Sequence, residues 1–294
     1  MRLILSRKGF DSSAGGCPSP IFADGSLYAL PIPDANSNIR YGDIRTAGFD
    51  LGGLVSDLSR GAVTAADGAH LDPDMHNNAL RRREGWKPLL GQTGAAQGHL
   101  RREGVTTGDL LLFFGLFRRV EQVAGYWRFV RSAPPQHVLW GWLSIGEIIN
   151  VDTLTAPQLR WARYHPHFRI GADAANTLYI AGDQCSLPGS AGPLPGAGIF
   201  PRVKPDLVLT HPDSTRPTHW QLPRDFYPHG ARTPLSYHRK TARWHLADAH
   251  SEYCQLQCAA RGQEFVLDLD EYAEVGRWLT ALIAESGCAT AAMD

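Results

Sequence analysis

Glycine and proline are unusually frequent in this chain, and they restrict its fold more than any other feature of the sequence. The 294 residues include 30 glycines and 20 prolines, about 17% of the chain against the usual ~12%. Both residue types interrupt regular helices and strands and favour turns. The composition therefore argues against helix bundles and coiled coils and predicts a chain with many loops.

Charge and hydrophobic content narrow the class of protein further. Lysine plus arginine and aspartate plus glutamate both total 29. This balance argues against a constitutive nucleic-acid coat protein, because duplex affinity comes largely from unbalanced basic charge; it leaves a local basic groove open. A hydrophobic fraction of 43% excludes wholesale disorder.

The sequence also bears on compartment and redox state. No apolar run approaches the ~20 residues that a membrane span needs, and the first residues lack the apolar core of a signal peptide. The five cysteines have irregular spacing and form no disulfide framework. We therefore expect a cytoplasmic protein with reduced thiols and no membrane partner.

Apolar patterning predicts an α+β fold. Met1–Leu5 has the pattern of a short strand, and residues 105–150 contain three strands with the spacing of a small antiparallel sheet or barrel. A short helix is expected around Leu54–Leu58, and an amphipathic helix from Asp270 to Ala284, with Gly287 as its stop.

No repeat or linker divides the chain. We interpret residues 1–294 as one strand-rich, loop-heavy unit in which residues 105–150 form either a small antiparallel sheet or a barrel-like subdomain. Aromatic residues at strand spacing in that segment, Trp140 and Trp142 among them, are expected in the core. Their alternative role is a platform for base stacking.

The loop after the first strand is the first candidate site. Small residues expose backbone N–H groups that can hold an anion, and two basic side chains lie beside them. The spacing matches neither the P-loop nor the dinucleotide fingerprint, and an ordinary turn with exposed charges is the alternative. The candidate phosphate-binding residues are Ser6, Arg7, Lys8, Ser12, Gly15 and Gly16.

The segment His70-Leu71-Asp72-Pro73-Asp74 is the second candidate. Alternate residues of an extended chain project to one side, so His70, Asp72 and Asp74 are expected to converge. Imidazole and carboxylate groups suit a divalent metal, or a general base oriented by a carboxylate. The alternative is an Asp-Pro turn with solvated acids.

The third candidate lies in the irregular segment 210–226, where polar and aromatic residues are dense. His211 and Asp213 repeat the spacing of His70 and Asp72. Trp220 beside Arg216 could stack a base and hold a phosphate. A polar surface loop held by prolines is the alternative.

Isolated residues carry less weight. His238 is a further candidate base, although a lone histidine is more often structural. His165 and His167 have the spacing of metal ligands, but the proline between them favours a surface turn. Cys17 has no nearby histidine in sequence and is expected to be inert.

These segments together resemble the nucleotide modification associated domain 3 family, a group of bacterial and phage-linked proteins. The resemblance extends from residue 2 to about residue 283. It implies a nucleotide ligand and a single site built from the polar segments. The motifs are Ser6–Ser13, Gly15–Gly16, Pro18–Ile21, Leu30–Pro33, His70–Asp74, Gly108–Leu110, Trp140–Leu143, Leu235–His238 and Arg261–Asp268.

The leading hypothesis is an enzyme acting on a nucleotide or nucleobase, free or in DNA, by group transfer or hydrolysis. His70 and Asp72 would supply acid–base chemistry or bind a metal such as iron, zinc or manganese. Asp11 would orient a neighbour, and other modification enzymes are candidate partners. The metal candidates are His70, Asp72, Asp74 and His211. The residues expected to close the site are His211, Asp213, Arg216 and His238.

Two other hypotheses remain. A non-catalytic reader would hold a modified base or nucleotide in an aromatic pocket of residues 105–150, with the polar residues scattered. A structural protein would show neither arrangement. Catalysis instead predicts that Arg7, Asp11, His70, Asp72 and His211 meet in one pocket.

Overall fold

Long runs of apolar residues produce the central strands of the molecule. The computed structural model describes residues 1–155, 158–259 and 262–290, with only the backbone of 287–290; Arg261 of the last motif lies outside these ranges. The strands are β1 (Arg2–Arg7), β2 (Ser19–Ile21), β3 (Ile32–Pro33), β4 (Ala69–His70), β5 (Leu89–Gln92), β6 (Leu110–Val123), β7 (Tyr126–Phe129), β8 (Gln136–Asn150), β9 (Thr177–Ala181), β10 (Gln184–Cys185), β11 (Leu194–Pro195), β12 (Ala197–Ile199), β13 (His219–Pro223), β14 (Trp244–His245), β15 (Tyr253–Gln257) and β16 (Glu264–Asp268).

A mixed sheet organises the fold, which is α+β as expected. Among the described residues its main path has the order β16-β1-β6-β8-β9-β5, with β2, β7 and β12 attached to β6 and β8. Strands β1 and β6 are parallel, whereas β6 and β8 are antiparallel. Strand β6 begins with a buried run, and β8 is buried from His137 to Ile145, which is typical of strands covered on both faces.

Of the two arrangements expected for residues 105–150, a small antiparallel sheet or a barrel, the described residues form the sheet and no closed barrel. Strands β6, β7 and β8 are present and antiparallel, but β1 and β2 occupy the other edge of β6, while β9 and β12 occupy the far edge of β8. Because distant parts of the chain pair with these edges, the three strands become the centre of an open sheet.

Three α-helices pack around this sheet in the described part of the chain: α1 (Leu51–Leu58), α2 (Gly94–Arg102) and α3 (Ala273–Thr290). Helix α3 starts later than expected and continues past Gly287, because glycine permits but does not require a left-handed stop. Its residues Val275, Leu279 and Ile283 are fully buried. None of the described helices combines the length and apolarity needed to cross a bilayer.

The edge strand β5 positions the candidate site. Strand β9 pairs with one side of β5. Along the other side, the backbone N–H of Asp74 donates to the carbonyl of Leu89 at 2.9 Å, and the return hydrogen bond is 3.2 Å. Strand β4 pairs with β3 just before this point. The segment after β4 is therefore held against an otherwise free sheet edge.

Candidate metal centre

Asp72 is a buried carboxylate surrounded by three imidazoles. Its Oδ2 lies 3.8 Å from Nε2 of His70 and 3.7 Å from Nε2 of His167. Its Oδ1 lies 3.3 Å from Nε2 of His165. Only 6% of the Asp72 side chain is exposed. Four side chains from two distant segments thus meet around one carboxylate.

The backbone around His70 explains half of this convergence. His70 ends strand β4, and the backbone N–H of Asp72 donates to the carbonyl of His70 at 2.8 Å. The two side chains lie on the same side of this tight turn. Leu71 points the other way and is buried in an apolar cluster. The expectation from alternate spacing is met for these two residues.

A short 3-10 turn supplies the other two histidines. His165 is the N-cap of Pro166–Arg169, with the proline at the start of the turn, a position where its missing N–H costs nothing. His165 is fully buried and His167 is 3% exposed. The surface turn expected here is therefore wrong: the proline starts a turn that directs both imidazoles inward.

Gly91 connects the sheet edge to the cluster. Its backbone N–H donates to Oδ1 of Asp72 at 2.7 Å. A Cβ at this position would lie 2.1 Å from Cδ2 of His167, a separation that real Cβ atoms do not show. The His167 ring thus lies directly on bare backbone, and only glycine leaves room for it.

Hydrogen bonds at Nδ1 set the tautomers of His70 and His167. Nδ1 of His70 lies 2.8 Å from a carboxylate oxygen of Asp34, and Nδ1 of His167 lies 2.6 Å from Oδ1 of Asn176. The Asn176 amide is itself oriented, because its N–H donates to the carbonyl of His167. Oxygen acceptors require the proton on Nδ1, so each Nε2 presents a lone pair towards Asp72.

His165 has the opposite arrangement. Its Nδ1 accepts from the backbone N–H of His167 at 3.5 Å, which places the proton of the neutral ring on Nε2. That Nε2 faces Oδ1 of Asp72, yet it makes no hydrogen bond of acceptable geometry within the described part of the chain. His165 is thus suited to hold a proton beside the carboxylate rather than to bind a metal.

The electrostatics favour a charged carboxylate and a neutral imidazole. Burial tends to raise the pKa of Asp72, but the His165 ring next to it and the attraction of the three imidazoles outweigh burial and hold the pKa below its ordinary value. Burial lowers the pKa of His167 to about 4. These are the protonation states that metal ligands require.

The donor atoms of His70, Asp72 and His167 all lie within 4.8 Å of one another. Metal–ligand bonds of about 2.0–2.2 Å span the separations between Asp72 Oδ2 and the two Nε2 atoms. Two imidazoles and one carboxylate, with further positions open, form a donor set used by iron and zinc enzymes.

The family model described as nucleotide modification associated domain 3 matches residues 2–268. The chain belongs to this family. Neither the search of curated proteins nor the search of solved structures found a match. The matched region contains His70, Asp72, His165 and His167 and ends before helix α3.

The structure separates Asp74 from the cluster. Its carboxylate accepts two hydrogen bonds from the Arg82 guanidinium, each 2.6 Å long, and another from the Tyr164 hydroxyl. Asp74 is fully buried. The backbone hydrogen bonds with Leu89 turn Asp74 away from His70. Asp74 was expected to converge with His70 and Asp72, but it forms a buried ion pair with Arg82 instead.

The loop after β1 is also not part of the cluster. Ser6 is fully buried, and the Lys8 ammonium pairs with buried Glu264 at 3.0 Å. Arg7 lies 3.9 Å from Asp11. These contacts occupy Lys8 inside the protein and leave the loop without the basic pair that the phosphate prediction assumed.

Within that loop, Asp11 stabilises its own turn. Its Oδ1 accepts from the N–H groups of Ser13 and Ala14 and from the Ser13 hydroxyl. Gly15 has a φ of +82° and lies under the Phe10 ring, whereas Ser12 and Gly16 are exposed. The phosphate-binding roles proposed for Ser12, Gly15 and Gly16 stay predictions. The conformation of the loop is itself explained by the hydrogen bonds that Asp11 accepts.

The segment from His211 to Trp220 lies in a separate three-stranded sheet region. His211 stacks on His219 with ring centroids 5.0 Å apart, and Asp213 and Arg216 are exposed. Trp220 is fully buried and donates its indole N–H to Nδ1 of His137 at 2.9 Å. The structure therefore does not bring this segment to His70 and Asp72.

The two isolated candidates, His238 and Cys17, are both buried in the protein. Nε2 of His238 accepts from the N–H of Ala259, and its Nδ1 lies 2.8 Å from the carbonyl of Ser236. Burial lowers the pKa of His238 to about 4. Cys17 is buried, and burial raises the pKa of its thiol to about 11, which suits an inert residue.

A narrow cleft borders the centre from inside the protein. It is lined by Asp72, Tyr28, His76 and Trp140, among others. Tyr28 stacks on His76 with centroids 5.0 Å apart. The buried indole N–H of Trp140 has no hydrogen-bond partner in residues 1–155, 158–259 and 262–290. One aromatic residue of the central strands thus borders the same cleft as Asp72.

Sequence reasoning missed three of the residues that build this centre: Asp34, Gly91 and Asn176. None belongs to a motif with recognisable spacing. The two histidines at 165 and 167 did carry a signal, since their separation matches a ligand pair. Proline at the first position of a helical turn is the feature that reconciles this pair with burial.

Proposed function

We propose that this protein is a metal-dependent enzyme that acts on a nucleotide or nucleobase by group transfer or hydrolysis. The observation that carries the proposal is the set of His70, Asp72 and His167, whose donor atoms face one another with their tautomers already set. The family description supplies the substrate class.

The chemistry of the centre follows from its donors. A bound iron, zinc or manganese ion would supply Lewis-acid polarisation of a substrate oxygen or water. Asp72 contributes negative charge, because its pKa is held below its ordinary value. His165 holds a proton at Nε2, 3.3 Å from Asp72 Oδ1, where it can restrain the carboxylate and exchange a proton nearby.

A second candidate function is a non-catalytic reader of a modified base or nucleotide. The observation that favours it is the unpartnered, buried indole N–H of Trp140 in the described chain, beside the cleft at Asp72. An indole N–H recognises an acceptor atom on a base. In a reader, Trp140 rather than the histidines would decide binding.

The test compares histidines in the two His-x-Asp segments. Wild type and the variants His70→Ala, His167→Ala and His211→Ala are purified, loaded separately with Fe(II), Zn(II) and Mn(II), desalted and analysed for metal. We expect stoichiometric metal in wild type and His211→Ala, and loss of metal from the other two. Circular dichroism verifies that each variant is folded.

Thermal shifts against nucleoside mono- and triphosphates complete the test. A wild type that retains none of the three metals, or a folded His70→Ala variant that retains its metal, contradicts the metal proposal. Nucleotide stabilisation that disappears in Trp140→Phe but persists without metal would establish the reader instead.

A further inference from the structure

An arginine-rich cleft opens on the outer side of the segment that carries His165 and His167. Its volume is about 400 Å³, and none of the described residues that line it carries a carboxylate. A cleft of this size falls in the range of small-molecule sites. Its lining residues are Asn38, Ile39, Arg83, Arg160, Arg163, Tyr164 and Arg169.

The four guanidinium groups are not neutralised by the described part of the protein. None of them forms an ion pair with a described carboxylate, whereas arginines elsewhere pair with acids, as Arg128 does with Glu121 at 3.0 Å. The whole chain has a formal net charge of zero. The cleft is therefore a local concentration of positive charge, which attracts anions.

Some of these arginines are held in place by neutral groups. Arg83 donates to the carbonyl of Arg160 at 3.3 Å. Arg163 donates to the carbonyl of Thr155 at 2.7 Å, and its guanidinium lies 4.6 Å from the centre of the Phe168 ring. Neutral contacts restrain the side chains and leave their charge for a ligand.

The chain itself places the cleft beside the metal centre. Arg163 and Arg169 each lie two residues from a histidine of the centre, and two residues span at most ~7 Å. On the opposite wall, Asn38 belongs to the same loop as Asp34, which orients His70. One short segment thus presents histidines inward and arginines outward.

We propose that this cleft binds the phosphate groups of the substrate that is modified at the metal centre. Guanidinium groups form paired, charge-assisted hydrogen bonds with phosphate oxygens. The inference rests on the proposed function and narrows it: the substrate is a phosphorylated nucleotide, either a free polyphosphate or part of a nucleic-acid strand, and not a free base or nucleoside.

The experiment measures binding of two probes, a fluorescent single-stranded oligothymidylate and thymidine triphosphate, at several salt concentrations. The test variant is Arg160→Gln with Arg169→Gln, because neither side chain donates a hydrogen bond to a described residue. The control is Arg131→Gln, an exposed arginine elsewhere on the surface.

We expect at least about tenfold weaker binding of one probe by the double variant. For the oligonucleotide, the slope of log K against log salt should decrease by about 0.7 for each guanidinium removed. The probe that shows the loss identifies the source of the phosphates. Unchanged binding, equal loss in Arg131→Gln, or no binding of either probe to wild type would overturn the proposal.

Metal analysis of the same samples separates this inference from the proposed function. The double variant should keep its metal, because both arginines lie outside the donor set. A His167→Ala variant that lacks metal but still binds the probe in an arginine-dependent way would support the cleft. If wild type binds the probe in an arginine-dependent way but never binds metal, the proposed function fails, and of this inference only the phosphate-binding role of the cleft stands.

Discussion

Two segments of this protein share the pattern His-x-Asp, and the fold treats them differently. His70 and Asp72 meet two further histidines in a buried cluster. His211 and Asp213 lie in a surface turn, where the Asp213 N–H donates to Nδ1 of His211 at 3.2 Å and the carboxylate is exposed. The same spacing thus produces a candidate metal centre once and a local turn once.

The difference comes from what each segment packs against. The first lies along the free edge of β5, where Gly91 donates to Asp72 and leaves space for His167. The second packs on β15, where His211 and His219 both contact Gln255. The His-x-Asp spacing brings an imidazole and a carboxylate to one side of the chain, but a metal centre needs further ligands from a distant segment.

The largest expected contrast is in stability and concerns one carboxylate from each segment, Asp74 near His70 and Asp213 near His211. Asp74→Ala removes the buried partner of Arg82 and should lower the free energy of unfolding by about 3–5 kcal/mol. Asp213→Ala removes an exposed carboxylate and should change it by less than about 0.5 kcal/mol. Urea unfolding of both variants measures the contrast; similar losses would remove the distinction between the segments.

Gly91→Ala tests whether the sheet edge makes the first segment special. A Cβ would collide with the His167 ring, so we expect a loss of about 1–3 kcal/mol together with loss of bound metal. Gly192→Ala is the control, because its Cβ would meet no atom within 4 Å. Urea unfolding and metal analysis of both variants measure the two effects. Full metal retention by Gly91→Ala would show that the His167 ring can move to make room for the Cβ.

Asp34→Ala tests whether the orientation of His70 distinguishes the first segment from the second. Without the carboxylate at Nδ1, His70 loses the group that sets its tautomer, and metal affinity should fall about 10–100-fold. Gln255→Ala removes the corresponding neighbour of His211 and should leave affinity unchanged. Competition with a chromophoric chelator measures both. An affinity loss in Gln255→Ala would mean that the second segment contributes to the centre.

The smallest expected effect is the pH dependence contributed by His137, the partner of Trp220. Burial lowers the pKa of His137 to about 3, with Arg7 lowering and Asp11 raising it. Below pH 6.5 the His137 imidazole is protonated in the unfolded chain but stays neutral in the folded protein, so the free energy of unfolding decreases as the pH falls.

For this one histidine the loss between pH 6.5 and 5.5 is about 1 kcal/mol. His137→Gln keeps an acceptor for Trp220 and should flatten the dependence by that amount. Urea unfolding at the two pH values gives the comparison with wild type. Identical pH dependence in the variant would show that His137 is not the group responsible.

Much of the fold was predictable from local pattern. Strands β1, β6, β7 and β8 and helix α1 occur where apolar runs and turn residues indicated, and the expected core residues Trp140 and Trp142 are buried. The family resemblance is confirmed over residues 2–268. The expected alternatives for residues 105–150 were a sheet or a barrel, and the structure has the sheet; local pattern could not decide between them, because it does not show which strands pair with the two outer edges.

The sequence by itself determined the loop-rich α+β class, the family, and the placement of His70 and Asp72 on one side of the chain. Each of these depends on composition or on residues a few positions apart. Only the tertiary structure decided that His167 joins them, that Asp74 pairs with Arg82 and that His211 stays apart. Those outcomes depend on the free edge of β5, which brings together segments nearly a hundred residues apart in the chain.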